Sequence, residues 1–191
     1  MLVDAARGFL DKSAPVKAFR DLRDAGKTHD AKMWKEMAAM GWAGVLVPES
    51  AGGVDMGHAA AGILAQEMGK TLAVSPFLST AVIAATALRN VSDARAEAAL
   101  AKIASGDATY ALAVDETSKF DPNSTAMVAT SEGNGFRLTG KKTFVVDGAL
   151  ADRLLVLAKT DNGLTLFDIP ADRAGITRNA QNMIDARDSA R

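Results

Sequence analysis

Apolar residues recur at three- and four-residue steps from the start of the chain to about Gly106, and at alternate positions after Thr109. That change of period predicts helices followed by strands. Leu2, Val3, Ala6, Phe9 and Leu10 form one stripe, Pro15 interrupts it, and Val16, Phe19 and Leu22 resume it until Gly26. Two short helices or one kinked helix fit. Asp30 is placed to cap a helix with Met33, Trp34, Met37 and Met40 on one face, and Gly41 stands where a left-handed residue would end it. The methionine-rich stripe reads as core, because flexible thioethers fill irregular gaps. Ala60, Ile63, Leu64 and Met68 mark the next helix, closed by Gly69. Pro76 opens a segment with Leu78, Val82, Ile83 and Leu88 inward, and Ser92 caps a last helix running toward Ile103 and closed by Gly106.

Beyond Thr109, Tyr110, Leu112 and Val114 alternate with Ala111 and Ala113, as in a half-buried strand. Strand-like runs follow at 127–131, 136–139, 143–146, 154–159 and 164–169, with Pro170 as terminator, and 176–178 could add one more. Gly133-Asn134-Gly135 and Asp161-Asn162-Gly163 read as hairpin turns, so antiparallel pairing is expected. The expected fold class is α+β: an all-α bundle over residues 1–106, then an antiparallel, barrel-like β-domain over residues 107–191, joined at Gly106-Asp107 without a low-complexity linker.

Composition narrows the chemistry. A hydrophobic share of 48% in 191 residues can fill a real core. The net charge is -1, from 22 basic and 23 acidic side chains, and the basic residues form no continuous stripe, so nucleic acid is not an expected partner. The absence of cysteine removes disulfides and thiolate chemistry, and His29 and His58 lie far apart, so no metal site is expected. The first residues lack the basic start and apolar centre of a secretory signal and read as mature protein. The longest apolar stretches, 81–88 and 154–158, fall short of the roughly 20 residues that cross a bilayer. A soluble, cytoplasmic chain without membrane insertion is the expectation. Gly133 and Gly135 lie in a β-turn and open no helix, so they are no dinucleotide fingerprint.

Several motifs stand in a fixed order: Gly41-Trp42, Val47-Pro48-Glu49, Gly52-Gly53, Glu67-Met68-Gly69-Lys70 and the run from Leu138-Thr139-Gly140-Lys141-Lys142 to Asp152. Together they resemble the acyl-CoA dehydrogenase family, and the resemblance covers most of the chain. It implies a helical domain, a β-domain that runs along the flavin, and a further helical domain carrying the catalytic glutamate. On that comparison the chain stops inside the β-domain. A fragment of a longer protein is expected, since a half-built sheet leaves an unpaired edge.

Members of that family take an α proton from an acyl-CoA thioester while the β hydride passes to flavin N5, which requires flavin, substrate and base to be aligned in a dry stack. The resemblance therefore implies FAD, an acyl-CoA substrate, an electron acceptor such as an electron-transfer flavoprotein, and a homo- or hetero-oligomer. It assigns no catalytic residue to this chain, which by itself is expected to be inactive. Val114 and the Asp115-Glu116-Thr117 stretch match a flavin-facing Thr-Glu-Pro segment, Phe144-Val145-Val146 match Trp-Ile-Thr, and Asp121 matches the last residue of a substrate-side motif. Val146 lacks the hydroxyl a threonine would offer, and Asp115 puts a carboxylate where a neutral donor is expected, which would oppose formation of a reduced, anionic flavin. Read without the resemblance, Val114, Phe144 and Val146 are ordinary strand core and Asp115-Glu116 a polar strand end. His29 and His58 read as surface residues, and Glu49 and Glu67 as caps or ion-pair partners. Two functions remain: an FAD-dependent dehydrogenase to whose pocket this chain contributes, or a non-catalytic, flavin-deficient subunit of a heteromeric one.

Overall fold

Caps and glycines divide the first part of the chain into helices in the computed structural model, which describes residues 1–185 and 187–191. Two compact units are present, Met1–Thr109 and Tyr110–Arg191. In the first, α1 (Leu2–Ser13), α2 (Val16–Asp24), α3 (Ala31–Ala39) and α4 (Gly57–Thr71) are followed by a π-helical stretch, Phe77–Ala84, that continues into α5 (Ala85–Arg89), and then by α6 (Ala94–Ala104). Asp30 caps α3 by accepting from the backbone N–H of Lys32 and Met33. Gly41 follows with φ 80°. Met33, Trp34 and Met37 are buried, whereas Met40 lies past the last helical turn and is exposed. Three local expectations shift. Asp93, not Ser92, caps α6; α4 runs through Gly69 and ends at Leu72, which takes the left-handed conformation; and Leu78 is exposed, because the wider π turn rotates it out of the apolar face.

Between α3 and α4 the chain carries no regular strand, yet Val45, Leu46 and Val47 are fully buried. Burying backbone outside a regular helix or strand demands partners for its carbonyls. Each has one: Met56 N–H donates to Val45, the Arg89 guanidinium to Leu46 at 3.0 Å, and Asp55 N–H to Val47. Arg89 also pairs with Asp55 at 3.2 Å. The loop thus folds back on itself, and Gly53 is the point of closest approach. A Cβ there would stand 1.9 Å from the Val47 carbonyl oxygen, so only hydrogen fits. The Gly52-Gly53 motif has a steric cause.

The second unit is built on β5 (Arg153–Thr160). One of its edges is covered throughout by β6 (Gly163–Pro170), antiparallel from Arg153↔Pro170 to Thr160↔Gly163. Along the other edge run β1 (Tyr110–Ala113), parallel from Tyr110↔Arg153 to Ala113↔Val156, and then β2 (Val128–Glu132), parallel at Val128↔Lys159. A hairpin joins β2 to β3 (Gly135–Thr139), and β4 (Val145–Val146) pairs with β7 (Ser189–Ala190) in a small separate sheet. Both expected hairpins form. The fold class stands as helices followed by a sheet, with no closed barrel among the described residues. Pairing is not antiparallel throughout, because long connections return β5 beside β1 and β2 in the same direction. Residues 176–178 form no strand; Ala180 makes an isolated bridge to Ala190 instead. Ala111, Ala113, Ala129, Val145, Leu154, Val156 and Ala158 form the core of this unit. On β1 it is therefore the alanines that face this cluster.

Among the described residues no helix is long and apolar enough to cross a membrane, and no group of metal-ligating side chains gathers. Gly53→Ala should destabilise the protein by about 3 kcal/mol or more, the upper range for forcing atoms into a packed site. Gly62→Ala, where nothing lies within 4 Å of the new methyl group, should instead stabilise α4 by roughly 0.5–1 kcal/mol. Urea unfolding of the two variants against the parent checks both signs.

Candidate functional site

The segments that the sequence singles out, 114–117 and 143–146, are neighbours in space. The Thr143 N–H donates to the Asp115 carbonyl at 2.7 Å and places the end of β1 beside the approach to β4. Beneath this contact lies an ion pair. Lys142 Nζ is 2.7 Å from Glu116 Oε1, and it donates to the Val114 carbonyl at 3.0 Å. Its side chain is 6% exposed, that of Glu116 18%. The Glu116 carboxylate accepts two more hydrogen bonds, from Ala126 N–H at 2.7 Å and Met127 N–H at 3.0 Å. Burial pushes the Glu116 carboxyl up, but the Lys142 ammonium and the two amides outweigh it and hold the group below the usual glutamate range. Glu116 is thus engaged in a structural brace.

Asp115 is half-buried, and its Oδ1 is buried without a hydrogen-bond partner among the described residues. Such an oxygen is costly unless something outside these residues donates to it. Phe144 is 43% exposed and takes φ 52°, which explains why β4 is shorter than the expected run 143–146. Val145 turns into the core and Val146 is half-buried. After β4 the chain turns through Asp147 (φ 56°) and Gly148, where a Cβ would lie 2.7 Å from the Val145 side chain. Asp188 fastens this turn: its carbonyl accepts from Asp147 N–H at 3.0 Å, and its Oδ2 from Ala149 N–H at 3.1 Å and Leu150 N–H at 3.3 Å. Arg178 donates to the carbonyls of Gly148 and Ala151.

Asp121 sits on an exposed stretch just before a short 3-10 turn, Pro122–Ser124, and its carbonyl accepts from Ser124. Glu67 is buried and ion-paired with Lys70 and Arg7, Glu49 opens a short 3-10 turn, and exposed His58 lies 3.4 Å from the Thr86 hydroxyl. Lys142, Arg178, Gln181 and Asp188 were not singled out from the sequence. Lys142 stood there only within the motif run from Leu138 to Asp152, and Arg178 only at the end of the possible strand 176–178.

An open cavity of about 820 Å³ borders these segments. Met127, Leu138, Leu154, Val156 and Ile169 line it, the same residues that form or pack against the core of the sheet unit, so it is the uncovered side of that core. Glu116, Phe144 and Val145 reach its lining, whereas Val114, Asp115 and Val146 are not among its lining residues. A flavin ring needs a flat apolar wall and hydrogen-bond donors along its polar edge. Phe144 can supply the wall. Four N–H donors around β4 are already used: those of Thr143, Phe144, Asp147 and Gly148 go to Asp115, Gln181, Asp188 and Val145. Val146 has no hydroxyl. These groups are therefore closed to a flavin's polar edge, while Thr117, Ser118 and Lys141 also line the cavity.

The family model for the acyl-CoA dehydrogenase N-terminal domain matches residues 1–107. The acyl-CoA dehydrogenase FadE27 of Mycobacterium tuberculosis is 31% identical over 162 residues, which cover 84% of this chain and 42% of that protein. Among solved structures, the Tcur3481-Tcur3483 steroid ACAD (G363A variant) is similar with a TM-score of 0.89 at 28% identity, covering 99% of this chain and 52% of that one. The ChsE4-ChsE5 complex from Mycobacterium tuberculosis follows with a TM-score of 0.88 at 27% identity, covering 99% and 51%. The chain spans about half the length of the relatives it matches.

Removing one partner of a buried pair strands the other, so Lys142→Met should cost roughly 3–5 kcal/mol in chemical denaturation. Glu116 has a lowered folded-state pKa, so its contribution to stability is fully present above its unfolded value and fades as pH falls through the lower folded one. Glu116→Gln should therefore narrow the gap between stability at neutral pH and stability in acid, measured by denaturation across that range.

Proposed function

The chain belongs to the acyl-CoA dehydrogenase family, and on that footing we propose that it works in an FAD-dependent, acyl-CoA-oxidising flavoprotein as the subunit that walls the pocket without holding the flavin's polar edge. The observation that carries this reading is the use of the local donors. Four candidates along 143–148 are committed to the protein's own backbone and side chains, and Glu116 is committed to Lys142. FAD bound in such an assembly would accept the hydride from the acyl β-carbon. What this chain's residues do is narrower: Phe144 presents apolar surface, and the Glu116–Lys142 brace keeps the two segments side by side. Val114 contributes through its carbonyl, which anchors Lys142. Asp121, on its exposed loop, is the position proposed to approach the acyl-CoA. Two similar solved structures are described by paired names, one of them as a complex, which supports a heteromer. Electrons would leave to an acceptor such as an electron-transfer flavoprotein.

A second reading, in which the whole protein itself holds FAD and dehydrogenates acyl-CoA, is favoured by the exposed ring of Phe144 beside the cavity. Flavin absorbance of the full-length protein separates the two. Purified alone it should be colourless, and it should turn yellow and reduce a dye with acyl-CoA only when a partner subunit is co-expressed. A yellow, acyl-CoA-reducible protein obtained without any partner would decide for the second reading.

A further inference from the structure

Phe144 and Asp147 flank β4 in the left-handed region, with φ 52° and 56°. Aspartate visits that region with some ease, but an aromatic residue does so only where its surroundings over-determine it. Burial of the ring does not hold Phe144, since the residue is 43% exposed. Its backbone is held instead. The Phe144 N–H donates to Gln181 Oε1 at 3.1 Å, and Gln181 Nε2 donates to the Thr143 hydroxyl at 3.4 Å, so a single amide grips the two residues at the bend. Gln181 is itself fixed. Its N–H donates to the Ser189 carbonyl at 2.8 Å, and its Oε1 also accepts from the Ser189 hydroxyl at 3.2 Å. On the other side of the bend Val145 is locked into its pairing with Ala190. Freed from Gln181, Phe144 would relax to negative φ and extend β4 by a residue. Because side chains alternate along a strand, the ring would then point in a different direction.

We propose that Gln181 is a positioning residue, which fixes Phe144 in its left-handed conformation and so sets the direction in which the ring is offered to a planar ligand. Under the function proposed above, on which this step rests, that ligand is the flavin ring held by the partner subunit.

The test uses the full-length protein purified with its natural partner. Gln181→Ala should lower the folding constant about tenfold, the size of one lost hydrogen bond, and should shift the visible flavin band of the complex. Gln181→Glu, which retains an acceptor for the Phe144 N–H, should recover most of the stability. Phe144→Gly removes the penalty of positive φ, so in that background Gln181→Ala should cost more than it does in the parent, because losing the grip no longer relieves any strain. Equal losses in the two backgrounds would overturn the proposal, as would a flavin band that Gln181→Ala leaves in place while the complex stays intact. A complex purified with no flavin at all would remove the function proposed above, and the coupling between positions 181 and 144 would still decide whether Gln181 fixes the ring.

Discussion

The carboxylate of Glu116 joins three stretches of chain that lie far apart in sequence. It takes the ammonium of Lys142, which reaches back to the Val114 carbonyl at the end of β1, and it takes the amides of Ala126 and Met127 at the start of β2. A carboxylate and an ammonium this poorly exposed are expensive to take out of water, and they are kept only because each is paired and hydrogen-bonded further. The rest of the site hangs on this node. Without it the contact from Thr143 to Asp115 loses its support.

The same economy explains the functional reading. A surface that holds a cofactor leaves some donors free for it, whereas here the N–H groups around β4 are consumed in holding an unusual backbone. What remains outward at the bend is the ring of Phe144. The overall form of the family is preserved, and that is what the proposed role in assembly and pocket shape requires.

The helical unit rests on a different constraint. Its buried segment Val45 to Val47 is a run of turns rather than a helix, so its carbonyls must be satisfied by chain returning from elsewhere. The return is so close that Gly53 has no room for a side chain. Arg89 completes the arrangement from α5 by serving Leu46 and Asp55 together. A motif that reads in sequence as a family marker is, in physical terms, the solution to burying an irregular loop.

Much of this was legible in the residues alone. The helical period up to Gly106, the cap at Asp30, the left-handed Gly41 and both hairpins follow from local chemistry, in which a residue's neighbours within a few positions decide its state. The order of the glycine and Pro-Glu motifs sufficed for the family. Other features were decided only by tertiary structure: the parallel pairing of β1 with β5, the pairing of Glu116 with Lys142, and the left-handed turn at Phe144. Each depends on a partner distant in sequence, namely Lys142 for Glu116, Gln181 for Phe144 and β5 for β1. Periodicity and propensity describe what a segment prefers by itself, and they are silent about which remote donor or strand arrives to override that preference.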